Sequence, residues 1–117
     1  MARNQIKDIS IEFAIDTVNF CREIQRNMNE YILTKQLIRS GTSIGANIHE
    51  AEFAQSKMDF IHKLSIALKE ANETKYWLEI FKKSELKLET KGLENKVNSI
   101  IRILSTIILN TKENLKN

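Results

Sequence analysis

Apolar residues recur at steps of three and four along most of this 117-residue chain. In the first stretch Ile6, Ile9, Phe13, Phe20 and Ile24 keep helical spacing, which predicts a helix from about Ile6 to Arg26. A second set, Ile11, Ala14, Ile15, Val18 and Cys21, lies on another side, so this helix is apolar over more than one contact face requires. Asn27, Met28 and Asn29 form a polar break. Leu33, Leu37, Gly41, Ile44, Ile48 and Ala51 then fall at steps of 4, 4, 3, 4 and 3, a helix stripe over about Glu30 to Phe53.

Ser56 followed by Asp59 is a variant of the capping box and marks the next helix start. That helix runs from Lys57 to about Lys83, with Phe60, Leu64, Ala67, Leu68, Ala71, Leu78 and Phe81 facing the core. Residues Ser84 to Lys91 are charged and aperiodic, and Gly92 is expected to close the link. The last segment, about Leu93 to Leu115, carries Val97, Ile100, Ile101, Leu104, Ile107 and Ile108. Its β-branched residues favour a strand, but the sustained three-to-four spacing overrides them. Four helices of matched length with short links predict an all-α fold: one domain over residues 1–117, an antiparallel up-down-up-down four-helix bundle with no strand.

Composition narrows the function classes. No apolar run approaches the ~20 residues of a membrane span, so no membrane partner is expected. The first ten residues lack the apolar stretch of a signal peptide, which places the protein in the cytoplasm. Cys21 is the only cysteine, which excludes an internal disulfide and a cysteine-based zinc site. Proline is absent, so nothing forces a break in any helix. The net charge of +3 and pI near 9.0 permit a polyanion partner without demanding one.

The segment LIRSGTSIGANIHEA, residues 37–51, is the sequence's anomaly: glycines, Ser, Thr and Asn occupy the middle of a helix stripe. A phosphate loop needs a Gly-Lys-Ser/Thr ending after a strand, and here Ala46 follows Gly45 with no strand before it. Glycines four apart, Gly41 and Gly45, instead clear a strip on which another backbone can approach closely. Arg39, Ser43, Asn47 and Glu50 form a polar strip at steps of 4, 4 and 3. On the third helix Ile66, Glu70, Glu73, Trp77 and Ile80 share a stripe at steps of 4, 3, 4 and 3, two carboxylates among apolar neighbours. Partly buried carboxylates need a partner. Arg39 is the expected one, with Ser43 and Asn47 adding hydrogen bonds. The competing reading puts Glu70 and Glu73 on a solvated face, paired with Lys69 and Lys75.

Catalytic readings find little support. Two carboxylates could serve as acid and base, but nothing else builds a cleft. A di-iron bundle needs Glu-x-x-His twice; only Asp59-x-x-His62 comes near, once. Cys21 reads as a small core residue. No enzyme activity, metal or cofactor is expected.

Two motifs carry a resemblance. Arg39-Ser40-x-x-Ser43-Ile44-x-Ala46-Asn47-Ile48-x-Glu50 and Lys69-Glu70-Ala71-x-Glu73-Thr74-x-Tyr76-Trp77-Leu78, at this separation, resemble the signature of the four helix bundle protein family, also called the 23S ribosomal RNA intervening-sequence protein family. The resemblance implies an antiparallel bundle that assembles as a ring-like homopentamer. It also implies kinship with the accessory proteins of diversity-generating retroelements, which bind nucleic acid and a reverse transcriptase. Many members carry a Gly soon after the acid matching Glu50. Ala51-Glu52-Phe53 stands there instead, so the second helix is expected to run a turn longer.

An oligomer is also expected from the residues alone, because the first and third helices each carry a second apolar stripe that a lone bundle leaves uncovered. Trp77, Gly41 and Gly45 are the expected core or interface positions. The basic excess falls in the last two segments, interleaved with acids. Lys82, Lys83, Lys87 and Lys91 cluster around the third link and are the candidate contacts for RNA or DNA phosphates, which several copies would join into a basic rim. Glu85 and Glu89 sit among them. The leading expectation is a non-enzymatic oligomeric scaffold for nucleic acid or a nucleic-acid protein; the alternative is a protein–protein adaptor.

Overall fold

The computed structural model describes residues 2–116 and, of Ala2, only the backbone. They form α1 (Ala2–Met28), α2 (Ile32–Ala51), α3 (Lys57–Lys83) and α4 (Lys91–Lys116), with no strand among the described residues. Each helix packs on the one before and the one after, and α4 returns to α1, while diagonal pairs stay apart. The result is an up-down-up-down four-helix bundle, 53 × 22 × 21 Å.

Local chemistry sets the helix ends. Asn29 takes the left-handed conformation (φ 55°) and donates its N–H to the Gln25 carbonyl, the usual asparagine alternative to a terminating glycine. Glu30 opens α2: one carboxylate oxygen accepts from the N–H groups of Leu33 and Thr34, both at 2.9 Å. At α3 the Ser56 hydroxyl accepts from Asp59 N–H at 3.0 Å, and the Asp59 carboxylate reaches back to Gln55 N–H at 3.2 Å.

Two boundaries differ from the pattern reading. α2 ends at Ala51, without the extra turn, because Glu52, Phe53 and Ala54 donate to the carbonyls three residues back and wind the chain into a tight turn. Gly92 does not close the third link. It lies in the first turn of α4, which starts at Lys91 because Thr90 precedes it: the Thr90 carbonyl accepts from Glu94 N–H at 2.8 Å and its hydroxyl bonds the Glu94 side chain at 3.1 Å. The left-handed residue of that link is Lys87, with φ 47°.

Phe13, Leu37, Leu64, Leu78, Phe81 and Leu104 fill the core with their neighbours. Of the expected core stripes, Ile9, Phe20, Leu33, Phe60, Leu68 and Ile101 are only half-buried and pack on its margin. Cys21 is fully buried. Polar residues also enter the core at the helix seams. Gln25 of α1 donates to the Thr34 hydroxyl of α2 at 3.0 Å. Thr74 of α3 and Ser40 of α2 pair their hydroxyls at 3.0 Å. Each such pair satisfies groups that burial would otherwise leave unbonded. On the α1–α4 side Lys96 bridges Asp16 and Glu12, and those hydrogen bonds raise its pKa above the ordinary lysine value.

The small residues of α2 explain its closeness to α1. A Cβ on residue 41 would lie 2.9 Å from Thr17 Cγ2, and one on residue 45 would lie 3.4 Å from Ser10 Oγ. Gly41 and Gly45 therefore sit inside a continuous helix, against the side chains of α1, and cradle no anion.

A candidate assembly surface around Arg39 and Trp77

The α2–α3 groove carries the first surface. Arg39 of α2 reaches across to both acids of α3, pairing with Glu70 at 3.4 Å and with Glu73. The Trp77 indole N–H donates to the same Glu73 carboxylate at 3.0 Å. Tyr76, mostly exposed, meets Trp77 edge-on with ring centroids 5.1 Å apart. The Glu70 side chain keeps 18% of its exposure and that of Glu73 34%, against 49% for Arg39. Two half-buried carboxylates thus share one guanidinium beside Trp77, Ile66 and Ile80, all half-buried.

The other polar positions do not join this group. Ser43 donates back to the Arg39 carbonyl at 2.6 Å and Asn47 to the Ser43 carbonyl at 2.8 Å, so both bond their own helix and not the carboxylates. Short polar side chains within a helix commonly back-bond in this way. Glu50 lies further along and meets Lys63 at 3.4 Å. The sequence pattern put these three on one strip with Arg39; their reach is too short, or their neighbour too near, to extend the network.

The α1–α2 groove carries the second surface. Ser10 and Thr17 of α1 face the α2 glycines, whereas Glu12 and Asp16 face α4. That orientation turns the stripe Lys7, Ile11, Ala14 and Val18 toward α2, with Ile15 pointing outward. Ile11 and Ile15 are each 56% exposed. Lys7 pairs with Glu52 at 2.9 Å. Arg22, one turn beyond Val18, bonds the Gln25 amide oxygen at 2.9 Å, and no carboxylate among the described residues pairs with it. Periodicity showed that α1 had a second apolar stripe; which neighbour it flanks needed the packing.

A model of the 23S rRNA-intervening sequence protein family matches residues 2–106. The chain belongs to that family. A solved relative from Bacteroides thetaiotaomicron, described as a protein of unknown function from the S23 ribosomal protein family, is 48% identical. The alignment covers 92% of this chain and 98% of that one, with a TM-score of 0.89. No curated protein matches the chain.

On this family member the four lysines named for phosphate contact are all exposed, but two already have partners. Lys83 pairs with Glu79 at 2.6 Å, which raises its pKa and lowers that of Glu79, and Lys82 stands 3.9 Å from Glu94. The ammonium groups of Lys87 and Lys91 have no carboxylate partner among the described residues, although the Lys91 backbone N–H donates to the Glu89 carboxylate at 2.8 Å and Glu85 lies nearby in the link. No group of three His, Cys, Asp or Glu among the described residues could hold a metal ion, and no helix there is long and apolar enough to cross a membrane.

Proposed function

We propose that this protein is a non-catalytic scaffold that assembles from copies of itself and presents the outer surface to other proteins. One observation carries the reading: two unlike half-apolar surfaces flank α2, one around Trp77 and one around Ile15. They lie on adjacent sides of a square bundle, so they face out roughly at right angles. Unlike surfaces on one chain favour head-to-tail contact, and a turn of that size closes a ring of about four or five copies. A homopentamer, which the family resemblance implies, is within that range.

The adaptor reading gains over nucleic-acid binding because Glu79 and Glu94 offset half of the lysine cluster. The basic-rim reading keeps one specific support: Lys87 and Lys91 at the α3–α4 end are exposed, their ammonium groups have no acid partner among the described residues, and they would be repeated in every copy.

Complementation tests the assembly. Ile15→Asp spoils one surface and Tyr76→Asp the other; both side chains are exposed, so folding should survive and is checked by circular dichroism. Light scattering should show the wild type well above the 13.6 kDa of one chain and each variant near it. Mixed, the variants should form a pair, because each lends its intact surface to the other. A wild type at one chain's mass across micromolar concentrations, or variants that do not pair, would remove the head-to-tail ring.

A further inference from the structure

A cavity of about 470 Å³ opens at the end of the bundle where α1 begins, α2 ends and α3 starts. It meets the α1–α2 groove only at the Lys7–Glu52 pair and shares no residue with the Arg39–Trp77 surface or the lysine cluster. Its floor is apolar: Ile6, Ile48 and Leu64 line it, with the Phe60 ring at the side. Its rim carries Arg3, Lys7 and Lys57 and one acid, Glu52.

The rim charges are not balanced. Glu52 is taken by Lys7 at 2.9 Å. Arg3 lies over the Phe60 ring, its guanidinium carbon 4.3 Å from the centroid, and neither Arg3 nor Lys57 has a carboxylate partner among the described residues. The start of α3 is closed by Ser56 and Asp59, so the positive field comes from side chains. Two unmatched cations beside an apolar floor complement one kind of occupant, an anionic head on an apolar body. The volume falls within the range of small-molecule sites. From this charge complementarity and size we infer a binding site for a medium-chain carboxylate: the head meets Arg3 and Lys57, and the chain lies over Phe60 toward Leu64.

The proposed contacts, Arg3, Lys57, Phe60 and Leu64, lie outside the assembly surfaces, so the site stands or falls separately from the scaffold. The probe is sodium decanoate, titrated calorimetrically into the full chain below its micelle concentration, with decyltrimethylammonium as the oppositely charged control. One decanoate per chain should bind, at least tenfold tighter than the cation. Arg3→Glu with Lys57→Glu should weaken decanoate at least tenfold and bring the cation level with it or ahead. Both residues are exposed, so the fold should survive, with at most a small drop in melting temperature from the lost Arg3–Phe60 contact. Phe60→Ala should weaken decanoate without reversing the charge preference. Equal binding of the two probes, no saturable heat, or a charge-reversed variant that binds decanoate as the wild type does would each overturn the site.

Discussion

Thr17 of α1 occupies the space that a side chain on residue 41 of α2 would fill: its Cγ2 lies 2.9 Å from where a Cβ would stand. The same threonine buries its hydroxyl with no hydrogen-bond partner among the described residues. One contact therefore explains a glycine in mid-helix and shows where the seam is under-satisfied.

The three glycines should respond differently to alanine. Alanine is the better helix former by about 1 kcal/mol. At Gly41 overpacking against Thr17 should outweigh that gain and lower stability by about 1–2 kcal/mol net. At Gly45 the nearest atom is 3.4 Å away, so the two effects should nearly cancel. At Gly92 nothing lies within 4 Å, and Ala should stabilise by up to about 1 kcal/mol. Urea unfolding of the three variants gives the order directly.

Thr17→Val keeps the shape and removes the unbonded hydroxyl. Leaving a buried polar group unsatisfied costs about 1–3 kcal/mol, so the valine should raise stability by about 1 kcal/mol. A loss on thermal unfolding would mean that the hydroxyl finds a partner in solution.

Much of this fold was legible in the pattern. Four stripes of three-to-four spacing, the Ser56–Asp59 cap and the absence of proline led to four helices in the observed order. The pairing of Arg39 with Glu70 and Glu73 could also be read, since two acids among Ile66, Trp77 and Ile80 need a cation. What could not be read depends on contacts across the bundle. Thr34, Ser40, Thr74 and Gln25 look like surface residues until a neighbouring helix supplies their hydrogen bonds. Ser43, Asn47 and Glu50 share a strip with Arg39, yet side-chain reach and local back-bonding keep them out of the network. Gly92 looks like a terminator, and only the capping role of Thr90 shows that the helix has already begun.

Arg39→Ala should leave Glu70 and Glu73 facing each other without their cation. Arg39 is about half exposed, so solvent screens the loss and the cost should stay below about 1 kcal/mol. The cost should shrink as salt is added. Equilibrium unfolding at low and high salt measures both. A salt-independent loss would point to packing of the arginine stem instead.

Burial raises the Cys21 thiol to a pKa of about 12 from an ordinary value of 9.0. A raised value means the folded state holds the proton more tightly than the unfolded chain. The contribution of this group to stability is therefore fully present below pH 9 and is lost as pH rises toward 12. In the native protein the thiol should react with a maleimide at pH 8 only as fast as the structure opens, and freely in denaturant. Replacing Cys21 with Ala should flatten the alkaline part of the stability profile. Fast labelling of the native chain would show that the α1 core opens readily.

Nucleic acid provides the sharpest test between scaffold readings. Each lysine that releases a counterion from a phosphate steepens the fall of affinity with salt. Lys82 and Lys83 face Glu94 and Glu79, so they give up part of that contribution, and Lys87 and Lys91 remain as the unmatched pair in each copy. Labelled RNA and DNA should therefore bind weakly at low ionic strength, without sequence preference, and be released near about 0.15 M salt, where exposed charges are screened beyond about 8 Å. Reversing Lys87 and Lys91 to Glu should abolish even the low-salt binding while light scattering still reports the same assembly. Tight binding that persists at about 0.15 M salt and survives that reversal would place the polyanion elsewhere on the bundle and restore nucleic acid as the principal partner.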